Sequence, residues 1–147
     1  MLQHFNPAAS PIAALRETVF KRLIHLAESP PASLPSRLED LAHPQAQWRV
    51  SHPMNQLVGN EAALAVVYGP LKAAFPDLER RDVIFVGGTY KDKKLIAALG
   101  HYCGTMNGDW LGIPATNKPT YLRYGEVYEI DDDGRVIQAN QIGRAHV

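Results

Sequence analysis

The sequence is poor in the residues that build disulfides, metal sites and polyanion-binding surfaces. Its 147 residues include a single cysteine, Cys103, which excludes an internal disulfide and a zinc site built from several thiolates. Fifteen lysines and arginines balance fifteen aspartates and glutamates, so no excess positive charge favours a nucleic acid as partner. The six histidines are scattered, and no glycine-rich phosphate loop is present. We therefore expect no metal and no cofactor.

Long apolar runs are missing as well. No stretch approaches the roughly 18 apolar residues that a membrane-spanning helix needs, and the N-terminus lacks the basic start and apolar run of a secretory signal. These absences predict a cytoplasmic protein that does not bind membranes. Hydrophobic residues nonetheless make up 46% of the chain, which is enough for a globular domain with its own core.

Helical spacing dominates the first part of the chain. The pair Ser10-Pro11 is a suitable N-cap and first turn, and the apolar residues after it recur with a helical period, which predicts a helix over 11–28. Three prolines follow. The stretch 36–43 then predicts a short second helix that Ser36 caps.

The period of the pattern changes at residue 47. Trp48 and His52 share the apolar face of a predicted strand over 47–52. Residues 59–75 return to helical spacing. The pair Gly69-Pro70 predicts a kink in this helix, because proline has no backbone donor and clashes with the preceding turn.

Extended runs make up the remainder of the sequence. They cover 80–88, 94–106 and 120–130, and a shorter run begins at 135 after an Asp-rich turn. Consecutive strands that short turns separate are expected to pair antiparallel. The order of elements therefore predicts an α+β fold in which a curved antiparallel sheet wraps around the helices.

A sheet that wraps around a helix leaves a concave pocket, and inward strand positions line it. On the strand 120–130, the alternation directs Glu126 inward and Arg123 outward. His101 lies on an alternating face of the strand 94–106, together with Cys103. A carboxylate and an imidazole in an apolar pocket can act as general acid and base, so Glu126 and His101 are the candidate catalytic residues.

Aromatic and histidine side chains complete the predicted site. The candidate substrate-binding residues are Trp48, His52, Tyr68, Tyr124 and Tyr128. Each candidate also has a structural explanation: Trp48 can be a core residue, His52 can close a turn, and tyrosines are good strand formers. A buried glutamate can be an ion-pair partner, and a histidine can be held by structural hydrogen bonds.

Six stretches carry a family resemblance in a fixed order. They are "W-x-V-x-H-P", "GNEAA", "AFPDLERRDV", "GHYCGT", "WLGIPAT" and "LRYGEVYEIDDDGRV". Together they resemble the SnoaL-like polyketide cyclase family of the nuclear transport factor 2-like superfamily, over about residues 45 to 140. The resemblance implies a cone-shaped α+β fold whose strongly bent antiparallel sheet encloses an apolar cavity, usually in a dimer. It also implies closure of a polyketide ring by an intramolecular aldol step, without cofactor or metal.

The resemblance divides the chain into three parts. Residues 1–44 resemble the N-terminal helical extension of longer relatives that have two such domains in tandem, and residues 45–141 form the SnoaL-like domain. The last six residues, 142–147, read "IGRAHV", which looks like a translated sequencing adapter and predicts a non-native tail. The family's acid/base aspartate lies on the last strand, beyond the turn that matches Gly134. The corresponding stretch 137–147 has no Asp or Glu.

These observations predict a cofactor-independent cyclase or isomerase that acts on a small hydrophobic carbonyl compound. A base would remove a proton from the carbon next to the carbonyl, and His101 or Tyr128 would stabilise the enolate. The alternative is a non-catalytic ligand-binding or dimerisation module of the same fold. A third option, a dehydratase or isomerase, needs a hydrogen bond between His101 and Glu126. The expected protein partner is a second copy in a homodimer or a second tandem domain.

Overall fold

The computed structural model describes residues 11–51 and 53–146, which form an α+β fold with helices packed on a six-stranded sheet. The helices are α1 (Pro11–Glu28), α2 (Leu34–Leu41), α3 (Asn60–Ala63) and α4 (Gly69–Ala74), with a 3-10 turn at Pro31–Ser33 and a π-helical turn at Leu64–Tyr68 that joins α3 to α4. The strands are β1 (Ala42–Arg49), β2 (Gln56–Val58), β3 (Glu79–Tyr90), β4 (Lys93–Thr105), β5 (Pro119–Ile130) and β6 (Val136–His146). No helix in the described ranges is long and apolar enough to cross a bilayer.

The sheet is mixed, with the order β2-β1-β6-β5-β4-β3. Strands β3 to β6 form the predicted antiparallel meander. One ladder departs from the predicted antiparallel pairing, because β1 runs parallel to β6. These two strands are separated in the chain by the helices and the other meander strands. No hairpin therefore fixes their relative direction, and a long crossover allows parallel pairing.

The first two helices have nearly their predicted extents. α1 covers the predicted range. α2 begins two residues earlier than predicted, with Pro35 in its first turn, where the fixed φ of proline suits a helix start. The prediction that Ser36 caps this helix is wrong, since Ser33 is the N-cap and makes no side-chain capping bond. The Ser36 hydroxyl donates to the Ser33 carbonyl at 3.4 Å.

The irregularity predicted at Gly69-Pro70 takes the form of a π-helical turn. The Gly69 N–H donates to the Leu64 carbonyl, five residues earlier. A Cβ on Gly69 would be 2.7 Å from that carbonyl oxygen, so only glycine allows the approach. The wider turn ends two residues before Pro70, which has no N–H to continue the regular ladder. Its last residue, Tyr68, is buried.

Helices α1 and α2 share one hydrophobic core with the sheet. Leu23 and Leu38 belong to the same buried cluster as Trp48 and Tyr128. The boundary predicted at residue 44 therefore does not coincide with a gap in the core. At the other end, β6 continues through the residues predicted as a tail, and its backbone pairs with β5 as far as His146.

Candidate functional site

A cavity of about 230 Å³ lies between the helical layer and strands β4, β5 and β6. Its wall is mostly apolar and includes Val67, Leu71, Trp110 and Leu122. The polar residues of the wall are Tyr68, Tyr102, Tyr124, Glu126 and Gln141, together with Ser51 and Arg123. The volume is below the roughly 300–1,000 Å³ of sites for drug-sized ligands, so the cavity suits a compact apolar molecule with few polar groups.

Glu126 points inward from β5, as the strand alternation predicts, and is 4% exposed. Its partner is Arg80 on β3, which binds both carboxylate oxygens: Nη1 donates to Oε1 at 3.2 Å and Nη2 donates to Oε2 at 2.9 Å. The Tyr128 hydroxyl also donates to Oε2. Arg123 points outward and is exposed, as predicted. Bidentate Arg–carboxylate pairs are among the strongest polar contacts in proteins, so Glu126 is held in one orientation.

Arg80 serves a second buried carboxylate. Its Nη2 and Nε atoms donate to the two oxygens of Asp82 at 2.9 and 3.1 Å, and the Tyr124 hydroxyl donates to Asp82 Oδ1 at 2.5 Å. Burial is the largest single effect on Arg80 and opposes its charge, but Glu126, Tyr102 and Tyr128 together outweigh it and hold the pKa of Arg80 well above its ordinary value. The three side chains are at most 2% exposed. This ion cluster, Arg80, Asp82 and Glu126, contains two carboxylates and one guanidinium.

Two further hydrogen bonds join the cluster to the last strand. Gln141 lies opposite Glu126 in the β5–β6 register. Its Nε2 donates to the Tyr68 hydroxyl at 2.9 Å and to the Tyr128 hydroxyl at 3.0 Å. Burial is the main cause that raises the pKa of both phenols well above the ordinary value. Both tyrosines therefore remain neutral hydrogen-bonding groups at physiological pH.

Three of the seven predicted site residues reach the cavity. Tyr68, Tyr124 and Glu126 line the cavity. Tyr128 does not reach the wall, and it acts through its hydrogen bonds to Glu126 and Gln141. His52 lies outside the described residues.

The prediction that Trp48 binds substrate is wrong. Its side chain is fully buried in the main hydrophobic cluster and does not reach the cavity. The alternation of β1 gave the correct inward direction, but the first helices fill the space in front of it. The Trp48 ring packs edge to face on Tyr68, with 5.8 Å between ring centroids. Trp48 therefore packs against Tyr68, a residue of the cavity wall, without reaching the cavity itself.

The prediction that His101 faces the pocket is also wrong. In the register of the meander, His101 lies between Arg81 and Arg123, on the outer face of the sheet, and its ring is 5.7 Å from that of the exposed Tyr121. The adjacent residue, Tyr102, is the one that points inward. His101 and Glu126 are on opposite faces. The hypothesis of a dehydratase or isomerase with a His101–Glu126 hydrogen bond is therefore wrong.

Sequence reasoning missed four polar residues of the site: Arg80, Asp82, Tyr102 and Gln141. The first two carried a usable signal, because opposite charges two residues apart in a strand share a face. Gln141 lies in the stretch where the resemblance expects an aspartate. Its inward direction follows from pairing with Glu126, which the sequence does not reveal. Within residues 11–51 and 53–146, no group of three or more His, Cys, Asp or Glu side chains is placed to hold a metal ion.

The sequence matches no protein-family model and none of the curated proteins. Solved structures are similar to it in fold. One, provisionally assigned as a SnoaL-like polyketide cyclase from Jannaschia sp. CCS1, has a TM-score of 0.71 at 19% identity, over 97% of this chain and 91% of that chain. IdmH from Streptomyces antibioticus, provisionally assigned as a polyketide cyclase, has a TM-score of 0.66 at 20% identity, over 85% of this chain and 91% of that chain.

A third structure is an NTF2-like protein of unknown function from Burkholderia pseudomallei. It has a TM-score of 0.59 at 11% identity, over 90% of this chain and 89% of that chain. At such identities the likeness establishes the fold and leaves the reaction open. The chain has the α+β NTF2-like fold of the SnoaL-like proteins.

Proposed function

We propose that this protein is a SnoaL-like cyclase or isomerase that binds a small hydrophobic carbonyl compound and acts on it by acid–base chemistry, without a cofactor. The observation that carries the proposal is the ion cluster at the cavity wall. It holds one more carboxylate than guanidinium, and buried net negative charge is costly. Uptake of one proton would leave the cluster neutral.

Glu126 is the member of the cluster that reaches the cavity. In the proposed step, the C–H bond next to the substrate carbonyl breaks and its proton passes to a Glu126 oxygen. The electron pair moves into the carbonyl to form an enolate, which can then attack a second carbonyl or be reprotonated at another carbon. Arg80 keeps its pairing with Asp82 throughout, so no cation is left unpaired.

Hydrogen–deuterium exchange tests this step without knowledge of the natural substrate. The probe is 1-tetralone, a compact bicyclic ketone with protons next to its carbonyl, incubated with the protein in D₂O and followed by NMR. We expect the wild type to accelerate exchange at that carbon. Glu126→Gln should lower the rate by about 100-fold or more, because a general base typically contributes about 10²–10⁴-fold.

A matched control lies on the same strand. Glu129 is paired with Lys93 across the strands at 3.9 Å and is not part of the cavity wall. Glu129→Gln removes the same charge from β5 and should leave the exchange rate unchanged. Full exchange activity in Glu126→Gln would remove Glu126 as the base. No acceleration by the wild type would remove the proposed reaction for this class of ketone.

A specific observation favours the alternative, a non-catalytic binding module. The Glu126 carboxylate accepts three hydrogen bonds, two from Arg80 and one from Tyr128, which is the arrangement of a structural ion-pair partner. Titration of 1-tetralone against tryptophan fluorescence separates the two functions. Trp110 is on the cavity wall, so a signal that Trp110→Phe abolishes reports binding there. Binding without exchange would favour the module.

A further inference from the structure

We infer that Tyr68 and Tyr102 form a paired donor site for one acceptor oxygen of the ligand, and that the cavity therefore selects compounds with a carbonyl or enolate oxygen. The inference rests on the proposed ligand cavity but not on catalysis in it. Both side chains line the cavity, and both are more than nine-tenths buried. What distinguishes them from the other tyrosines is the direction in which each hydroxyl proton is free to point.

The proton of Tyr68 is directed by a chain of contacts that begins at Glu126. Tyr128 donates its proton to Glu126, so the Tyr128 oxygen can only accept from Gln141. That requirement fixes the amide nitrogen of Gln141 toward Tyr128, and the same nitrogen contacts the Tyr68 oxygen at 2.9 Å. Tyr68 must accept this second bond. Its own proton has no acceptor among the described residues and is left for the cavity.

The proton of Tyr102 is directed by Arg80. The Arg80 Nη1 atom lies 3.2 Å from the Tyr102 oxygen, and a guanidinium has no acceptor. Tyr102 therefore accepts from Arg80. No acceptor for the Tyr102 proton is found in the described part of the chain either. In both tyrosines a donor behind the oxygen polarises the O–H group, which strengthens the bond that it can give.

The other two tyrosines near Glu126 cannot serve in this way. Tyr124 donates to Asp82 and Tyr128 donates to Glu126, so both of their protons are taken by carboxylates. Each of these four phenols has a pKa above the ordinary value, chiefly because of burial. Tyr68 and Tyr102 thus remain neutral donors, and a ligand oxygen that gains negative charge would be held more strongly by them.

Two probes with the same ring system, one with a carbonyl and one without, measure how much the carbonyl oxygen contributes to binding. 1-Tetralone carries a carbonyl, whereas tetralin has the same two rings and no polar atom. We expect wild-type protein to bind 1-tetralone about 10-fold more tightly than tetralin, measured by fluorescence titration. Tyr68→Phe and Tyr102→Phe should each lower this preference by about 3-fold, and the double variant should abolish it, because two donors of equal strength share the about 10-fold preference.

The control variant is Tyr121→Phe. Tyr121 lies on the same strand as Tyr124 but is exposed on the outer face of the sheet and is not part of the cavity wall, so this variant should keep the preference for 1-tetralone. A second readout is the infrared carbonyl stretch of bound 1-tetralone labelled with ¹³C at the carbonyl. Two hydrogen bonds should shift it to lower frequency in the wild type, and each single variant should reverse part of the shift. The single variants keep this test available if the double variant does not fold.

Equal affinity of the wild type for both probes, or a preference that survives in the double variant, would overturn the inference. Failure of both probes to bind would also overturn it, because the cavity would then not admit a ligand of this size. Where a probe binds, the exchange assay distinguishes failure of this inference from failure of the proposed function. Preferential binding of 1-tetralone with no exchange supports the donor pair and removes the catalytic proposal. Exchange without preferential binding supports the catalytic proposal and overturns the donor pair.

Discussion

At the scale of single residues, the ion cluster depends on a position that has no side chain. Gly100 lies opposite Tyr124 in the β4–β5 register. A Cβ there would lie 2.2 Å from the Arg81 carbonyl oxygen and 2.6 Å from the Tyr124 hydroxyl. Both distances are far inside van der Waals contact. The absence of a side chain at residue 100 is therefore what allows Tyr124 to reach Asp82.

We expect Gly100→Ala to destabilise the fold and to displace the Tyr124 hydroxyl from Asp82. Overpacking of a close-packed interior typically costs about 1–3 kcal/mol, and the free energy of unfolding in urea measures it. The matched control is Gly88→Ala on β3, where nothing lies within 4 Å of the added carbon. Equal stability of the two variants would contradict the expected effect.

The direction of Glu126 could be predicted, and its partner could not. The period of two in β5 fixes which side chains share a face, and the apolar neighbours of Glu126 identify that face as the inner one. The sequence offers Arg80 and Arg81 side by side, and a bulge between Asp82 and Ile84 breaks the register of β3. Only the paired strands decide that Arg80 is the buried one.

His101 shows the limit of alternation when both faces of a strand carry aromatic or small residues. In β4, Tyr102 and His101 are adjacent, and glycines on either side leave the inner face without an apolar stripe. The burial of Tyr102 follows from its packing on Tyr124, with 5.0 Å between ring centroids. Because that contact joins two strands, no pattern within β4 alone predicts it.

At the scale of elements, one side chain ties the end of α4 to the end of β4. Asp77 lies in the connection before β3, and its Oδ1 and Oδ2 accept hydrogen bonds from the Thr105 backbone N–H at 2.7 Å and from the Thr105 hydroxyl at 2.9 Å. A Cβ on Gly104 would lie 3.2 Å from both Asp77 and Phe75. These contacts give a physical reason for two parts of the resemblance, "AFPDL" and the Gly-Thr pair.

Asp77 should make stability depend on pH in the acid range. The backbone N–H of Thr105 is the main cause that lowers the pKa of Asp77 below its ordinary value near 3.8. A lowered pKa in the folded state means that the contribution is present above about pH 4 and is lost as the pH falls through the lower, folded value. We expect Asp77→Asn to be less stable than wild type at pH 6, and the difference to shrink toward pH 2.

Asp92→Asn provides the control for this measurement. Asp92 lies in the exposed turn between β3 and β4 with φ of 63°, a conformation that asparagine tolerates well. Its unfolding free energy should follow that of the wild type at each pH. A difference between Asp77→Asn and wild type that stays constant from pH 6 to pH 2 would show that the Asp77 carboxylate is not the group responsible.

The elements themselves were largely predictable, and their exceptions have local causes. α1 and the meander strands follow from strong periodicity. β1 begins at Ala42, five residues before its predicted start, because Ala42 pairs with Val136 on β6. Such pairing joins residues far apart in the chain. A sequence window of a few residues does not contain it.

At the scale of the whole molecule, the outer face of the sheet carries an exposed apolar patch. In the β3–β4–β5–β6 register, Ile84, Leu99, Gly125 and Ile142 form one row across four strands, and Val86, Ala97 and Val127 belong to the next. Leu99 is 51% exposed and Ile142 is 72% exposed. Contiguous apolar patches of this kind mark interaction sites in soluble proteins. We call these seven residues the outer patch.

We propose that a second copy of the chain covers the outer patch in a homodimer. A two-fold axis brings the same patch together from both subunits, and two copies of an apolar patch can bury each other. Sedimentation equilibrium should show a wild-type dimer, and Leu99→Lys should convert it to a monomer because two lysines would be buried without partners. Val58→Lys places the same charge at an equally exposed residue on β2, outside the patch, and should remain dimeric. A wild-type monomer would instead favour a second tandem domain as the partner of this face, and dissociation by Val58→Lys alone would place the interface at the β2 edge.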